Sequence, residues 1–238
     1  MKSIRIVLAG PRGKMGGIVQ QMIKQTEGFD LVGCIDRKSG NPDLQAPVFD
    51  NAYTCFEQIE ADVLVDFTVA DACFEHCRAA IAQHVRPVVG TSGMTEKQMN
   101  ELVQLTQTHK TGCIIAPNFS TGAVLMMQFA KMAAKLFPET EIIEKHHNQK
   151  VDAPSGTAIK TAEMLERDHA NKTIPIHSIR LPGLMAHHEV IFGGEGETLS
   201  IKHDSYSRDS FMEGIKWAVH HVMTMDHFIY GLEEMLEN

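Results

Sequence analysis

At 238 residues, with 43% hydrophobic and 22% charged side chains, the chain has ordinary globular composition, which excludes disordered and fibrous classes. Lys plus Arg number 22 against 30 Asp plus Glu, a formal charge of −8, so no nucleic acid is expected as a partner. The longest apolar stretches, such as Ile4 to Ala9, fall short of the ~18–20 residues that span a bilayer, so no membrane partner is expected either. No apolar segment followed by a cleavage site opens the chain, and a secretory signal is not expected. Its five cysteines lack a C-x-x-C pair, and Cys73 and Cys77 lie four apart in an expected helix. That pattern suits buried thiols in a reducing compartment, the cytoplasm.

In chain order, Ile4 to Ala9 reads as a strand, Met15 to Thr26 as a helix and Asp30 to Ile35 as a second strand. Val63 to Phe67 is a third strand, Asp71 to Gln83 a helix, and Arg86 to Gly90 a short strand. A helix from Thr95 to Thr108 and a strand from Gly112 to Ala116 close this series. Alternating strands and helices with continuously apolar strands predict a parallel sheet covered on both faces. After Pro117 the rhythm changes. A Met-rich helix over Ala123 to Phe137 precedes a strand at Glu141 to Glu144, a polar loop at Asn148 to Gly156 and a helix from Thr157 to His169. Strands at Ile176 to Leu181, His188 to Phe192 and Thr198 to His203 suggest an antiparallel or mixed sheet. Ser210 to Leu236 reads as helical and able to pack back on the first lobe. The expected fold is therefore α/β: a Rossmann-like domain over 1–118, completed by about 210–238, and a mixed α/β domain over 119–209.

Gly10-Pro11-Arg12-Gly13-Lys14-Met15-Gly16 lies between the first strand and the first helix, with the spacing G-x-x-G-x-x-G. Gly10 allows a tight turn, Gly13 a close backbone approach to a pyrophosphate, and Gly16 close helix–strand contact. The helix N-terminus offers N–H groups to phosphate, and Arg12 and Lys14 add positive charge. A glycine-rich turn without a ligand is the alternative, and context argues against it. Asp36 ends the second strand twenty residues after Gly16, where a carboxylate accepts from adenosine ribose hydroxyls. Arg37 and Lys38 follow and suit a 2′-phosphate, so both NADH and NADPH are expected as cofactors. Gly90-Thr91-Ser92-Gly93 and Ala116-Pro117-Asn118-Phe119-Ser120 follow later strands and are expected to line the nicotinamide ribose and amide.

The densest chemistry runs from Glu144 to Ala158 and includes His146, His147, Lys150, Asp152, Ser155, Gly156 and Thr157. Histidine exchanges protons near neutral pH, and a buried lysine can become a proton donor. Ser155, Gly156 and Thr157 at a helix start can hold a carboxylate. Three other readings stand beside this one: surface histidines, a plain helix cap, and a zinc site built from His146, His147, His187 and His188. Adjacent histidines on a strand splay to opposite faces, and no cysteine or carboxylate completes a metal-ligand spacing, so no metal is expected.

These residues resemble a known family. Glu144 to Ala158 matches every specified position of E-x-H-H-x-x-K-x-D-A-P-S-G-T-A, the signature of 4-hydroxy-tetrahydrodipicolinate (dihydrodipicolinate) reductases of bacterial lysine and diaminopimelate biosynthesis. Gly10 to Gly16 resembles the family's N-terminal G-x-x-G-[RK]-M-G, and Asp66-Phe67-Thr68, Gly90 to Gly93 and Ala116 to Ser120 are similar to its internal motifs. The resemblance covers essentially the whole chain. It implies a homotetramer that passes a hydride from NAD(P)H to a cyclic imine dicarboxylate, with loss of water. It also implies His146 as proton donor or acceptor, Lys150 as proton donor, and His147 with Gly156 and Thr157 as substrate-carboxylate contacts. Gly10 to Met15 would then meet the pyrophosphate, Asp36 the ribose and Arg37 the NADP phosphate. Gly90 to Ser92 and Ala116 to Phe119 would lie near the nicotinamide. One region departs: many members carry a longer loop before the strand at His177, and only Gly183 and His188 match the glycine–histidine pattern after it.

Imine reduction adds a hydride to carbon and a proton elsewhere, so it needs one nicotinamide and one acid. Closure of the two lobes is expected to bring the reacting atoms to about 3–3.5 Å. Another NAD(P)H-dependent imino-acid or amino-acid dehydrogenase shares this plan. A non-catalytic dinucleotide sensor would lack the His-His-Lys cluster and carry a basic DNA-binding segment, and the chain fits neither condition.

Overall fold

The computed structural model describes residues 3–38, 46–166 and 173–236. Its elements begin with β1 (Ile4–Ala9), α1 (Lys14–Gln25), β2 (Phe29–Ile35), β3 (Val48–Phe49) and α2 (Ala52–Gln58). Next come β4 (Val63–Asp66), α3 (Ala70–Ala82), β5 (Arg86–Val89), α4 (Glu96–His109) and β6 (Cys113–Ile115). The middle of the chain holds α5 (Thr121–Ala134), β7 (Glu139–His146), α6 (Gly156–Glu166), β8 (Ile176–Arg180), β9 (Ala186–Gly194) and β10 (Glu197–Ser205). A 3₁₀ turn at Arg208–Phe211 leads into α7 (Met212–Val222) and β11 (Phe228–Tyr230), and a second 3₁₀ turn covers Leu232–Leu236. The chain forms two compact units, Met1–Phe119 with Met212–Asn238, and Ser120–Phe211.

The first unit is built on a seven-stranded sheet ordered β11-β6-β5-β4-β1-β2-β3, parallel throughout. All four residues of β4 are buried, as a central parallel strand covered by helices on both faces requires. Val7, Ala9, Ile35 and Leu64 pack with Cys55 and Phe56 of α2 in one core cluster. The strand order reverses beside β1 and β4, so their carboxyl ends form the crevice where open α/β sheets take ligands.

Two segments differ from the sequence reading. β3 and α2 were not expected; α2 starts because the Asn51 side chain accepts from the N–H groups of Tyr53 and Thr54. The expected terminal helix stops at Val222. The turn that follows closes with the Met225 N–H donating to the Val222 carbonyl, and Phe228–Tyr230 then pairs parallel with β6. Exposed strand hydrogen bonds at the sheet edge, which a helix would leave unmade, favour this pairing.

In the second unit a four-stranded mixed sheet is ordered β10-β9-β7-β8, with β7 parallel to β8 and antiparallel to β9. Pairing on both sides extends β7 beyond the expected Glu141 to Glu144, as far as His146. Ile142, Val190 and Phe192 form the lower half of its inner face and pack on Met126, Met127 and Ala130 of α5 and Leu165 of α6. The upper half of that face is polar. The part of the expected helix beyond Glu166 lies outside the described residues.

Candidate active site

In the first unit, Gly10 takes a positive φ of 76° and donates its N–H to the Ile35 carbonyl at 3.0 Å. A Cβ on Gly16 would lie 2.6 Å from the Pro11 carbonyl, so only glycine lets α1 start this close to the loop. Gln20 Nε2 donates to the Pro11 carbonyl at 2.8 Å and props the loop from below. Gly13 occupies the cap position of α1 and supplies no capping side chain. The first-turn N–H groups therefore point to an open cradle of the kind that takes a phosphate. Lys14 is exposed at its edge, Met15 half-buried and Pro11 buried. Arg12 reaches across to Asp36, with Nη1 2.5 Å from Oδ1. Asp36 Oδ1 also accepts from the Lys38 N–H at 3.0 Å, and the Arg37 side chain is exposed. The acidic and basic groups expected at the adenosine ribose thus stand together.

At the carboxyl ends of β4 and β5 the organiser is a residue to which the sequence reading gave no role. Asp66 is fully buried and accepts from the Thr68 N–H at 2.7 Å and the Thr68 hydroxyl at 2.6 Å. It accepts from the Thr91 hydroxyl at 3.4 Å and pairs with His76 Nδ1 of α3 at 2.7 Å. One carboxylate thereby fixes the loops after two neighbouring strands. A Cβ on Gly90 would fall 2.5 Å from Cδ1 of Phe67, whose ring packs against Phe119 with centroids 5.6 Å apart. Phe119 and Ala116 are themselves buried. A cavity of about 230 Å³ opens beside these loops, lined by Thr91, Ser92, Met94, Pro117 and, from β11, Tyr230. Tyr230 was missed because its strand was read as helix.

In the second unit, Glu144 and His146 occupy one face of β7, two residues apart. Glu144 is fully buried, and its Oε2 lies 2.5 Å from His146 Nδ1. Its two oxygens also accept from Arg180 of β8, at 2.9 Å from Nη1 and 2.6 Å from Nη2. Burial alone would raise the Glu144 pKa, but donors from Arg180, Ser178 and His146 outweigh it and bring it down to about 2. The carboxylate is therefore ionised, and His146 must be the donor through Nδ1, which leaves Nε2 as the free position of the neutral ring. Burial lowers the His146 pKa, and the positive charges of Lys150 and Arg180 act in the same direction against the pull of Glu144.

The loop beyond carries the rest. Lys150 Nζ donates to the Asp152 carboxylate at 2.8 Å, and that contact holds the Asp152 pKa below the usual carboxylate range. Ser155 is buried; its hydroxyl accepts from the Ala158 N–H at 3.3 Å, and its own N–H donates to Glu144 at 3.3 Å. Its hydroxyl caps α6 as an acceptor and keeps its O–H to donate, Gly156 faces open space and Thr157 follows it on the first turn. His147 is half-buried, with a buried Nδ1 that has no partner among the described residues. Glu144, His188 and His203 lie directly opposite one another across β7, β9 and β10. Burial pushes the His188 pKa down to about 4, so this ring is neutral. His187 points to the other face and pairs with Asp204 at 2.6 Å. Among the described residues no three His, Cys, Asp or Glu side chains form a metal cluster.

Residues 4–119 match the family described as dihydrodipicolinate reductase, N-terminus, and residues 122–236 match its C-terminus. The chain is 48% identical to a 4-hydroxy-tetrahydrodipicolinate reductase of Oceanobacillus iheyensis over 264 aligned positions, covering 98% of this chain and all of the relative. It is 43% identical to a reductase of the same name from Bacillus cereus, with both chains covered completely. An alignment of 264 positions exceeds the 238 residues here, so the first relative carries residues without a counterpart in this chain. Among solved structures, the dipicolinate-bound dihydrodipicolinate reductase from Paenisporosarcina sp. TG-14 superposes with a TM-score of 0.90 at 41% identity, over 98% of this chain and 99% of that one. An amine dehydrogenase from Mycobacterium smegmatis is alike in fold alone, with a TM-score of 0.72 at 14% identity, over 93% of this chain and 92% of that one.

Proposed function

The chain belongs to the dihydrodipicolinate reductase family, and from its two sites we propose how its residues serve that family's reaction. It is an oxidoreductase that converts 4-hydroxy-tetrahydrodipicolinate to tetrahydrodipicolinate in lysine and diaminopimelate biosynthesis, with a pyridine nucleotide bound by its Rossmann-like unit. The nucleotide, when bound, supplies the hydride. The uncapped start of α1 and the space kept by Gly16 fit its pyrophosphate. Gly10 to Met15 cradle the phosphates, Asp36 accepts from the ribose, and Gly90 to Ser92 with Ala116 to Phe119 border the nicotinamide. The 1–118 domain with the C-terminal segment is thus the nucleotide domain, and 119–209 takes the substrate.

In the second unit, the first turn of α6 at Gly156 and Thr157 and the His147 ring hold a substrate carboxylate. Lys150 delivers the proton that must accompany hydride addition to an imine, and His146 exchanges a proton at Nε2. The observation that carries this reading is the Glu144–His146 pair, a carboxylate fixing the tautomer of an imidazole beside a lysine and the start of α6. To test it, dipicolinate binding is titrated in the presence of NADPH. His147→Ala should weaken dipicolinate by about 10- to 100-fold, the scale of one hydrogen bond to a charged group, and raise KM with kcat little changed. A variant that binds dipicolinate as wild type does would remove His147 from the substrate site.

Both NADH and NADPH serve as cofactors in this reading. Asp36 accepts from two ribose hydroxyls of NADH and repels a 2′-phosphate, and the exposed Arg37, with Arg12 already at Asp36, offsets that repulsion. Arg37→Ala should weaken NADPH by roughly 1.5–3 kcal/mol and leave NADH nearly untouched, while Asp36→Ala should do the reverse. Equal losses for the two cofactors in Arg37→Ala would show that Arg37 holds the loop, not the phosphate.

A homotetramer is supported by α5, whose Leu125, Phe129 and Met132 share one face and are 42%, 52% and 66% exposed, and by Leu136 in the turn that follows, 84% exposed. Light scattering at micromolar concentration should give the mass of four chains, and a monomer mass would contradict this. All five cysteines are buried free thiols, as a reducing cytoplasm keeps them. No helix among the described residues is long and apolar enough to cross a membrane.

A further inference from the structure

Arg180 lies outside the Glu144 to Ala158 signature, on a strand that enters the site only because β8 pairs parallel with β7 in a register that sets Arg180 opposite His146. Its guanidinium makes two contacts with Glu144, at 2.6 and 2.9 Å, and Nη2 also donates to the Asp152 carbonyl at 2.8 Å. The first pair immobilises the carboxylate that orients His146. The third contact holds the residue whose side chain holds Lys150. Nη1 further donates to the Ile179 carbonyl at 2.9 Å, which ties the guanidinium to its own strand. We propose that Arg180 is a positioning residue for the reaction, one planar cation that sets the places of His146 and Lys150 together.

This inference rests on the reading of His146 and Lys150 as the proton-transfer pair, and it adds a reason why their geometry is fixed before substrate arrives. A planar fork can engage a carboxylate with two parallel bonds and a carbonyl with a further N–H; an ammonium is a single point charge and cannot. The charge also matters. The titratable and charged groups facing the His146 ring are Glu144 on its own strand, Arg180 on β8, Lys150 in the loop and His188 on β9. With Arg180 present, the negative charge of Glu144 is already matched, and the imidazole need not become its counter-ion. Without Arg180, His146 is the nearest group able to take that role, and it does so by binding a proton.

The test compares wild type, Arg180→Met and Arg180→Lys in three measurements: the NMR titration of the His146 ring, assigned with His146→Asn; the pH profile of kcat; and KM for NADPH. In Arg180→Met the His146 titration should move to higher pH. Its kcat should fall by about 100-fold, the cost of a misplaced reacting group, with KM for NADPH unchanged. In Arg180→Lys the titration should stay near wild type because a cation remains, while kcat still falls because the Asp152 carbonyl is lost. A folded Arg180→Met with wild-type kcat and an unmoved His146 titration would overturn the proposal. Should that variant not fold, Arg180→Lys decides alone, and a kcat within about twofold of wild type overturns it. A moved titration with wild-type kcat also overturns it, since Arg180 then places nothing on which the rate depends; the reading of His146 is tested separately, by the kcat of His146→Asn.

Discussion

Replacing Lys150 or His146 by alanine should lower kcat by about 10²–10⁴-fold, the usual cost of a missing general acid or base, while NADPH still binds. The two losses differ in origin. Lys150 stands as a cation on Asp152, so its removal takes away the group that can give a proton to the reduced substrate and frees Asp152. His146 stands as a neutral ring whose Nδ1–H is committed to Glu144, so its removal takes away the exchange position at Nε2 and leaves a buried carboxylate with one donor fewer. Added small amines should recover part of the Lys150→Ala loss, and added imidazole part of the His146→Ala loss. Wild-type kcat at saturating substrate in both variants would exclude the roles given to them.

Gly16→Ala should have the largest effect on the nucleotide site. The added methyl would lie 2.6 Å from the Pro11 carbonyl, a backbone group with no side-chain freedom to yield. Either α1 or the Gly10–Gly13 turn must shift, at a cost of about 1–3 kcal/mol in stability. The shift displaces the N–H groups that would meet the pyrophosphate, so affinity for NADH and NADPH should fall together by about 10-fold or more. Gly17→Ala is the control: its Cβ meets nothing within 4 Å, and a helical alanine should stabilise the protein by roughly 0.5–1 kcal/mol. Calorimetry for stability and titration calorimetry for the cofactors separate the two effects. A Gly16→Ala protein with wild-type cofactor affinity would mean that the loop does not hold the pyrophosphate.

Where local chemistry decides structure, the sequence was readable. The apolar run Ile4–Ala9 and the glycine loop bound β1 and α1 to within a residue, because glycine spacing and strand burial are both local signals. The same holds for β4 and α3. Short elements were not readable. β3 has two residues and α2 two turns, too little for any period to emerge, although Asn51 carried a capping signal. Phe228–Tyr230 sits next to a true helix and becomes a strand only because the edge of β6 is waiting for it, a tertiary fact. The residues of the candidate sites divide along the same line. His146, His147 and Lys150 lie within five consecutive residues, and period-two alternation alone would have put Glu144 on the face of His146. Arg180 and Asp66 could not be found that way. Arg180 meets Glu144 across 36 residues and Asp66 meets Thr91 across 25, through registers that only the assembled sheets define.

The most direct test of the central claim is the initial rate of NADPH oxidation with freshly formed 4-hydroxy-tetrahydrodipicolinate, measured against simple 2-oxo acids offered with ammonia. Rapid oxidation with the cyclic imine dicarboxylate, inhibited by dipicolinate, and none above background with the 2-oxo acids is the predicted result. Oxidation driven by the 2-oxo acids and ammonia, with the cyclic substrate inert, would contradict it and make the protein an amino-acid dehydrogenase on the same fold.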